Sequence, residues 1–508
     1  SECLGTNAVH FEANTVLAEM AAELGLQNDE KKYNEVAVQI KNGVNQYLWQ
    51  ENKGYYGQYL YGRNDKILSP KSEALGEALS IIFGVADKAR QEKIVSNTPV
   101  TPYGISCIYP QIPGIPPYHN DAVWPFVESF WAQASAKAGD EESVVRAISS
   151  VYRPAALFLT NKENFVAGNG DYAGTQINSS NMLWSLSGSI SLVYKVLFGM
   201  QFNTYNLSFE PFVPKIFNGK RTLDNFKYRN AVLNIEMDGY GNSIKSFSID
   251  GKESDKHVIP TVLKGIHTVK IVLGNINLPA AKINGVENVF SPQMPVVNYE
   301  KGLLSWQDTS KNISSYRVLQ NGKLLEETTG TSIKIDTNKY GNYRVIAIAN
   351  DKTQSFASGP LQVYPSVNEQ IIQIEDFVKK SDKPYQGFTG TGFVEISKTM
   401  NRKIDFAVNI KEDGNYILDV RYANGNGPIN TENKCAFRTI SIDNKDTGTL
   451  VFPQRGKEEW SNWGWSNSLK VPLPKGLHHF VISFENWNEN MNGDINQAML
   501  DCVRLIKQ

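Results

Sequence analysis

The sequence is short of cysteine. Four thiols stand in 508 residues, at Cys3, Cys107, Cys435 and Cys502. Their spacing matches no zinc-ligand pattern and is too sparse for a disulfide framework, so a metal-ribbon fold and a disulfide-stapled scaffold are excluded. A buried free thiol is the default expectation for each. A Cys435–Cys502 bridge stays open, because both fall in the last stretch of the chain. Excess charge is missing as well. Lys and Arg number 51 against 52 Asp and Glu, a formal net charge of −1. With no long Lys/Arg cluster, nucleic acid has no electrostatic footprint to bind. No apolar run reaches the ~18–20 residues of a membrane span. No signal peptide opens the chain. The first residues, "SECLGTNAVH", run straight into a helix-like segment; this predicts a start inside a domain, with further chain upstream.

Aromatic residues, by contrast, are plentiful. They make up 11% of the chain, with 9 Trp and 23 Tyr. Such a composition suits stacking on sugars, although β-sandwich cores consume aromatics too. The length predicts about three or four domains.

The texture changes along the chain and predicts a multidomain α + β protein. Residues 1–201 read as helical. "VHFEANTVLAEMAAELGL" places Val16, Leu17, Met20, Ala21 and Leu24 on one face, and the next segment does the same with Tyr33, Val36, Ile40, Val44 and Leu48. About seven helices are expected, with Ser72, Asp140 and Ser179 or Ser180 as caps. The loops between them alternate short and long, and long structureless loops in a compact domain are usually functional. From 202 to 292 apolar and polar residues alternate between Gly and Asn turns, which predicts a β-domain. A second β unit spans 293–365, where "QNG" supports a hairpin turn. A third spans 366–508, its strands at sandwich-like spacing.

Two constellations carry chemistry. In "PPYHNDAVWPFVESFWAQ", Tyr118, His119 and Asn120 crowd the end of a long loop before Trp124 enters a helix. Tyr118 and Trp124 are expected at a pocket; Phe126, Phe130 and Trp131 stay open between pocket and core. The second is "LFLTNKENFVAGNGDYAG", which holds Glu163 on a Gly- and Asn-rich loop. On composition alone that carboxylate reads as solvated.

The helical array, with "YHNDAVW", then "ENF", then "NMLWSLSG" in that order, resembles the late half of a six-hairpin (α/α)6-barrel glycosidase. It is most similar to glycoside hydrolase family 63 and its bacterial relatives. The openings "LGTNAVHFEANTVLAEMAAELG" and "LWQENKGYY" also look like that family's middle barrel helices and the turn after them. The resemblance implies a partial barrel of late helices followed by three β-sandwich domains. It implies Glu163 as the general base of an inverting hydrolysis, in which an opposed acid protonates the leaving oxygen. Tyr118 and Trp124 match subsite-lining positions, and Trp184 matches the helix aromatic, as core or pocket. His119, Asn120 and Asp121 stand where the family has Trp-Arg-Gly; His119 and Asn120 are counted with the substrate-binding set, and the sugar specificity stays open. The family's acid lies before the region matched here, so it is expected in an upstream segment. Asp121, Glu73 and Asp171 are the local substitutes. No catalytic cofactor is implied. The alternatives are a non-catalytic glycan-binding protein and a glycoside phosphorylase. The second arises because "LSFEPFVPKIFNGKRTLDNFKYRNAVLNIEMDGYG" resembles the sandwich closing barrels in both enzyme groups.

Residues 293–365, with Trp306, Tyr316 and Tyr343, resemble a fibronectin type III module, and Trp306 and Tyr343 are expected in its core. Residues 366–508 resemble a carbohydrate-binding module of the family 6 or 35 kind, on "IQIEDF", "GFTGTGFVEI", "GNYILDVRYANG", "WSNWGWSNSLKVPLPKGLHHFVISF" and "AMLDCVRL". That resemblance implies a structural calcium held by Glu375 and Asp501, with Gln373 replacing a usual acid. It implies a sugar site among Tyr422, Arg438, Trp463, Trp465 and Asn467, bordered by Asn488 and Asn490. Trp460, Trp463 and Trp465 lie too close together for all to be core. The partner expected is an oligo- or polysaccharide, met in the periplasm, at the cell surface or after secretion.

Overall fold

The computed structural model describes residues 2–429 and 431–508. The chain divides into two compact units. One holds the residues up to Tyr61, Leu68–Pro292 and Asp351–Gln354; the other holds Gly62–Ile67, Gln293–Asn350 and Ser355–Gln508.

The first unit opens with the helices α1 (Leu4–Glu23) and α2 (Gln27–Tyr47), followed by α3 (Ala74–Ile82) and α4 (Lys88–Asn97). Then come α5 (Pro125–Ala138), α6 (Glu141–Phe158) and α7 (Leu183–Ser191), which runs on into a π-helical turn, Leu192–Leu197. Local chemistry fixes the starts. Asp140 caps α6, its carboxylate accepting from the Ser143 amide at 2.8 Å, as expected. At α3 the cap is Glu73, one residue beyond Ser72, accepting from Gly76 N at 2.9 Å. The cap position of α7 is Met182, beyond Ser179 and Ser180, and it makes no side-chain capping bond. Pro125 sits in the first turn of α5, where its missing N–H costs nothing.

The helices form hairpins, α1 with α2 and α5 with α6, while α1, α3, α5 and α7 pack side by side in that order. The two ends of the series, α1 and α7, share no extensive contact, so the described residues make an open arc. On α1 four of the five residues expected in the core, Val16, Leu17, Met20 and Leu24, lie on the outer face, and Ala21 is buried as expected. Val9, Val16, Leu17, Met20 and Leu24 fall within an arc of about 100° and are all exposed, Met20 at 55%. Burial uses the opposite side, through Leu4, Ala8, Ala18 and Ala21. The alanines allow close approach to neighbouring helices, and the bulky residues point away. Periodicity finds an apolar stripe but cannot say which neighbour covers it. On α2 the expectation holds: Val44 and Leu48 are buried, and Tyr33, Val36 and Ile40 are half-buried.

The loops before α1, α3, α5 and α7 meet at one rim. Cys3 bridges to Tyr59 ahead of α1. The strand Ser72–Glu73 pairs with Ile108–Tyr109, and Ala122–Val123 pairs with Phe165–Val166. These short antiparallel ladders zip successive loops together, so the residues preceding the odd-numbered helices share one end of the arc.

The strands expected after residue 202 run from Met200 to Leu273. A three-stranded sheet and a five-stranded sheet pack around Phe209, Leu233, Ile235, Phe247 and Ile271. The segment after it runs back along the helical loops, where Val100 N bonds Asn284 O and Gln111 N bonds Val289 O.

In the second unit, residues 296–363 build a three-stranded and a four-stranded sheet around Trp306, Tyr316, Val318 and Tyr343. Trp306 and Tyr343 are core, as expected. Residues 369–507 form a second sandwich. One sheet centres on Ala498–Lys507 and Gly414–Ala423. The other runs Lys403–Ile410, Gly476–Ser483, Ala436–Ile442, Lys445–Phe452. Cys435 and Cys502 are free thiols, so no bridge joins them.

Candidate functional site

Glu163 sits at the rim, between the ladder strand Phe165–Val166 and the end of α6. Its loop is strapped to itself. Glu163 N donates to Ser179 O at 3.0 Å, and Met182 N to Asn161 O at 2.9 Å. Ser185 on α7 donates to Lys162 O at 3.0 Å. Asn164 Nδ2 donates to Ile177 O, and Asn178 Nδ2 to Asn164 O. The Gly- and Asn-rich composition therefore encodes a loop held by amide side chains, and Glu163 is only 4% exposed. The Tyr118 hydroxyl donates to Glu163 Oε1 at 3.0 Å. This bond to the carboxylate pushes the Tyr118 hydroxyl pKa up. Among the described residues no hydrogen-bond donor to Oε2 is found, which leaves that oxygen able to accept from a water.

Trp124 holds Tyr118 in place. It is 1% exposed, and its indole N–H donates to Tyr118 O at 2.6 Å. Its ring lies 5.1 Å from Tyr118, 5.2 Å from His119 and 5.3 Å from Trp184. Trp184 in turn stacks on Phe126 at 4.9 Å. Tyr118, His119, Trp124 and Trp184 are thus brought together, with the exposed His119 ring over Tyr118 at 4.4 Å. Trp131 is core, while Phe126 and Phe130 are half-buried beside it.

Asn120 has a different task. Its Oδ1 accepts from Ile112 N, and its Nδ2 donates to the carbonyls of Ile112 and Ile115. Both amide protons are spent on the loop, in place of the ligand contact expected. The local acids are also engaged elsewhere. Asp121 accepts from Asn288 at 2.7 Å, and burial raises its pKa. Asp171 accepts from Ala173 N. Glu73 caps α3, and burial pushes its pKa up to about 7.

Two carboxyls escaped the sequence reading. Glu77 on α3 is fully buried, and neither oxygen makes a hydrogen bond of normal geometry. Burial first, then the neighbouring Glu73, raise its pKa well above the carboxylate range; the Tyr56 backbone opposes them weakly. Glu128 on α5 accepts from Ile105 N at 2.5 Å, and burial raises its pKa likewise. The signal was present: each is an acid inside a run of residues otherwise buried on a core helix.

In the last sandwich, several expected sugar-binding residues are core. Arg438 is completely buried. It donates to the carbonyls of Phe437 and Ser397 and to the Asn496 amide oxygen. Tyr422 packs inside against Phe452 at 5.2 Å. Asn467 bridges strand backbone at Val451 N and Thr449 O. Asn488 and Asn490 bond within their own loop and to Thr439 and the Cys435 carbonyl. Trp465 is partly exposed with the Arg504 guanidinium 3.6 Å over its ring. Trp463 joins Tyr385, Phe388, Phe393 and Trp460 in a cluster at the sandwich end. Tyr385 and Trp460 stack at 5.7 Å. Gly425 permits this arrangement, since a Cβ there would lie 2.7 Å from the Trp460 ring.

Glu375 accepts from Thr391 N and Gly392 N on Oε1, while its buried Oε2 has no hydrogen-bond partner. Asp501 accepts from Thr389 and pairs with Arg421. Thr389 also meets Gln373. Gly390 lets these oxygens gather, because a Cβ there would lie 2.4 Å from Glu375 Oε1 and 2.8 Å from Gln373 Oε1.

The profile of the mannosylglycerate hydrolase MGH1-like glycoside hydrolase domain matches residues 1–184. These residues form a domain of glycoside-hydrolase type. The finer likeness to family 63 is not part of that match. Among curated proteins, the chain is similar to a cycloisomaltooligosaccharide glucanotransferase of Niallia circulans, 31% identical over 24% of this chain and 11% of that protein. It is also similar to an isomaltosyltransferase of Sporosarcina globispora, 30% identical over 26% of this chain and 12% of that protein. The matched segments span about a tenth of the length of these relatives. Among solved structures, a family 35 carbohydrate-binding module from Clostridium thermocellum aligns at 20% identity over 28% of this chain and 98% of that one, with a TM-score of 0.22. No helix among the described residues is long and apolar enough to cross a membrane.

Proposed function

We propose that the chain is the later part of the catalytic unit of a glycoside hydrolase, joined to a glycan-binding module. Glu163 is the general base. One of its oxygens is held by the Tyr118 hydroxyl at 3.0 Å, and the other accepts a proton from water as that water attacks the anomeric carbon. The acid that protonates the leaving oxygen comes from a preceding segment. The observation that carries this reading is the strapped, aromatic-flanked Glu163 at the loop rim of a glycoside-hydrolase-type domain. The exposed apolar face of α1 supports the preceding segment: a helix apolar on both sides belongs between two layers. Inversion follows if the two carboxyls stand about 6.5–9.5 Å apart. Tyr118, His119, Trp124 and Trp184 line or back the sugar site; Asn120 supports it by holding the 112–115 loop. The names of the curated relatives make isomaltooligosaccharides the first glycans to test.

The residues described here contain no second carboxyl bonded into the Glu163 site, which also favours a second reading, a glycan-binding protein without catalysis. Assay of the isolated 508-residue chain beside a protein extended upstream separates them. The extended protein should release reducing sugar and the isolated chain should not. Turnover by the isolated chain defeats the divided site, and no turnover by either favours binding alone.

The last sandwich binds glycan at the cluster of Tyr385, Trp460 and Trp463, and a protein so equipped works on polymers outside the cytoplasm. Its Glu375–Gln373–Thr389 oxygens fit a hard cation, which takes six to eight oxygen ligands including carbonyls. The orphaned Glu375 Oε2 is the sign of it. Asp501 is already neutralised by Arg421 and contributes less than Glu375. A bound calcium would tie the 389–392 loop to the Glu369–Gln373 strand. At 100 times its Kd, calcium should stabilise this sandwich by about 2.7 kcal/mol. Equal melting of the module in calcium and in chelator would remove the metal from the account, as would an undiminished calcium response in Glu375→Gln.

A further inference from the structure

We propose a second glycan-binding surface on the last sandwich, built on Trp487. The inference rests on reading this sandwich as a glycan-binding module, and it concerns a different face from the Trp460 cluster. That cluster packs on Phe393, Ala423 and Met499, the latter two on the sheet of Gly414–Ala423 and Ala498–Lys507. Trp487 sits over the other sheet.

Alternation places Ala436, Arg438, Ile440 and Ile442 inside and puts Phe437, Thr439 and Ser441 on the other face, where the Trp487 loop covers Thr439 to 4% exposure. Thr439 pairs with Thr449 on one side and Ser483 on the other. The Trp487 indole N–H donates to Thr439 Oγ1 at 2.9 Å. The same hydroxyl donates to Asn488 Oδ1 at 3.1 Å. The indole is thereby pinned by its edge while 66% of the residue stays exposed. Tryptophan is highly buried on average, so this exposure needs a reason.

Looseness is not the reason. The loop carrying Trp487 is stapled by four asparagines. Asn488 Oδ1 also accepts from Glu485 N and Thr439 N. Asn490 donates to Cys435 O and Ile495 O. Asn492 accepts from Asp494 N and Ile495 N. Asn496 donates to Asn488 O and accepts from Phe437 N. A loop this heavily bonded presents its indole in a fixed place.

The surroundings select the occupant. The accessible neighbours in register are Thr449, Ser441 and Asp446, with Ser441 donating to Asp446 at 2.7 Å, while the Thr439 hydroxyl is covered by the loop. Lys398, which also bonds the loop at Gly493 O, is paired with Glu489. A flat, rigid aromatic face beside hydroxyls and a carboxylate is the chemistry of a pyranose, whose C–H face stacks on the ring while its hydroxyls bond at the edge. Met491 on the same loop is 88% exposed and Phe437 is partly so, but a protein partner would call for a larger apolar surround than these two side chains give.

Affinity electrophoresis of the whole chain in gels containing dextran, xylan or mannan tests the proposal. At least one polysaccharide should retard the parent. Trp487→Ala should raise the apparent Kd for it about tenfold with an unchanged melting temperature, and Trp487→Phe should keep most of the affinity. A Trp460→Ala/Trp463→Ala variant should keep a remainder that Trp487→Ala then removes. Parental retardation in Trp487→Ala, with all binding lost in the Trp460/Trp463 variant, overturns the second surface and leaves the module reading intact. No retardation of the parent in any gel overturns both. Dimerisation in sedimentation that Trp487→Ala abolishes, without any effect of glycan, overturns the proposal in favour of contact between copies.

Discussion

In a protein that retains the complete catalytic unit, Glu163→Gln should lower kcat by about 10³-fold, within the range for loss of a general base. The amide is nearly isosteric and can still accept from the Tyr118 hydroxyl, so the loop and the aromatic cluster stay in place. What is lost is the capacity to take a proton from water as it attacks. Dissociation constants for oligosaccharides should therefore change little. Initial rates beside equilibrium binding measure the two separately. A matching loss of binding and rate would make Glu163 a ligand contact. Full activity would transfer the role to another group.

Trp124→Ala should have the largest effect on stability. The side chain is almost wholly inaccessible, packs edge-on against Tyr118, Phe126 and Trp184, and donates to Tyr118 O. Truncating a buried tryptophan costs about 3–5 kcal/mol. For a unit of this size that lowers the melting temperature by roughly 10 °C. Calorimetry of the transition belonging to the helical unit reads the change directly. Because Trp124 is the N-cap residue of α5 and also anchors Tyr118, the folded remainder of a protein with the complete catalytic unit should lose activity as well. A loss below about 1 kcal/mol would mean that the cluster is a surface lining that tolerates a gap. Trp184→Ala is the contrast: its ring is partly exposed, and the cost should be smaller.

The sequence made much of this arrangement legible, and the misses have physical causes. The Asp140 cap and the β-alternation beyond residue 200 depend on local rules that operate alike in a peptide and a fold. The strapping of Glu163 does not. It needs Asn164, Asn178 and Ser185 to converge from three places, and a Gly- and Asn-rich stretch is silent about that. On α1 the apolar stripe was visible, but of its members only Ala21 joins Leu4, Ala8 and Ala18 at the tight interface, because small residues let helices approach. Arg438 and Tyr422 are core for a reason the sequence itself carries. In "AFRTISI" the two-residue period puts Arg438 on the same face as Ala436 and Ile440, and in "LDVRYA" it puts Tyr422 with Leu418 and Val420. Side-chain type suggested a ligand; parity already indicated the core. Trp487 stands in a run of asparagines that reads as an ordinary polar loop, and those asparagines are the support that displays it.

Hydrolysis at Glu163 requires a second carboxyl facing it across a bound sugar. A structure of the protein extended upstream, with an isomaltooligosaccharide in place, measures that directly. The expected result is a carboxyl from the preceding segment about 6.5–9.5 Å from Glu163, with a water between Glu163 and the anomeric carbon. A sugar bound away from Glu163, or no carboxyl opposite it, would contradict the account.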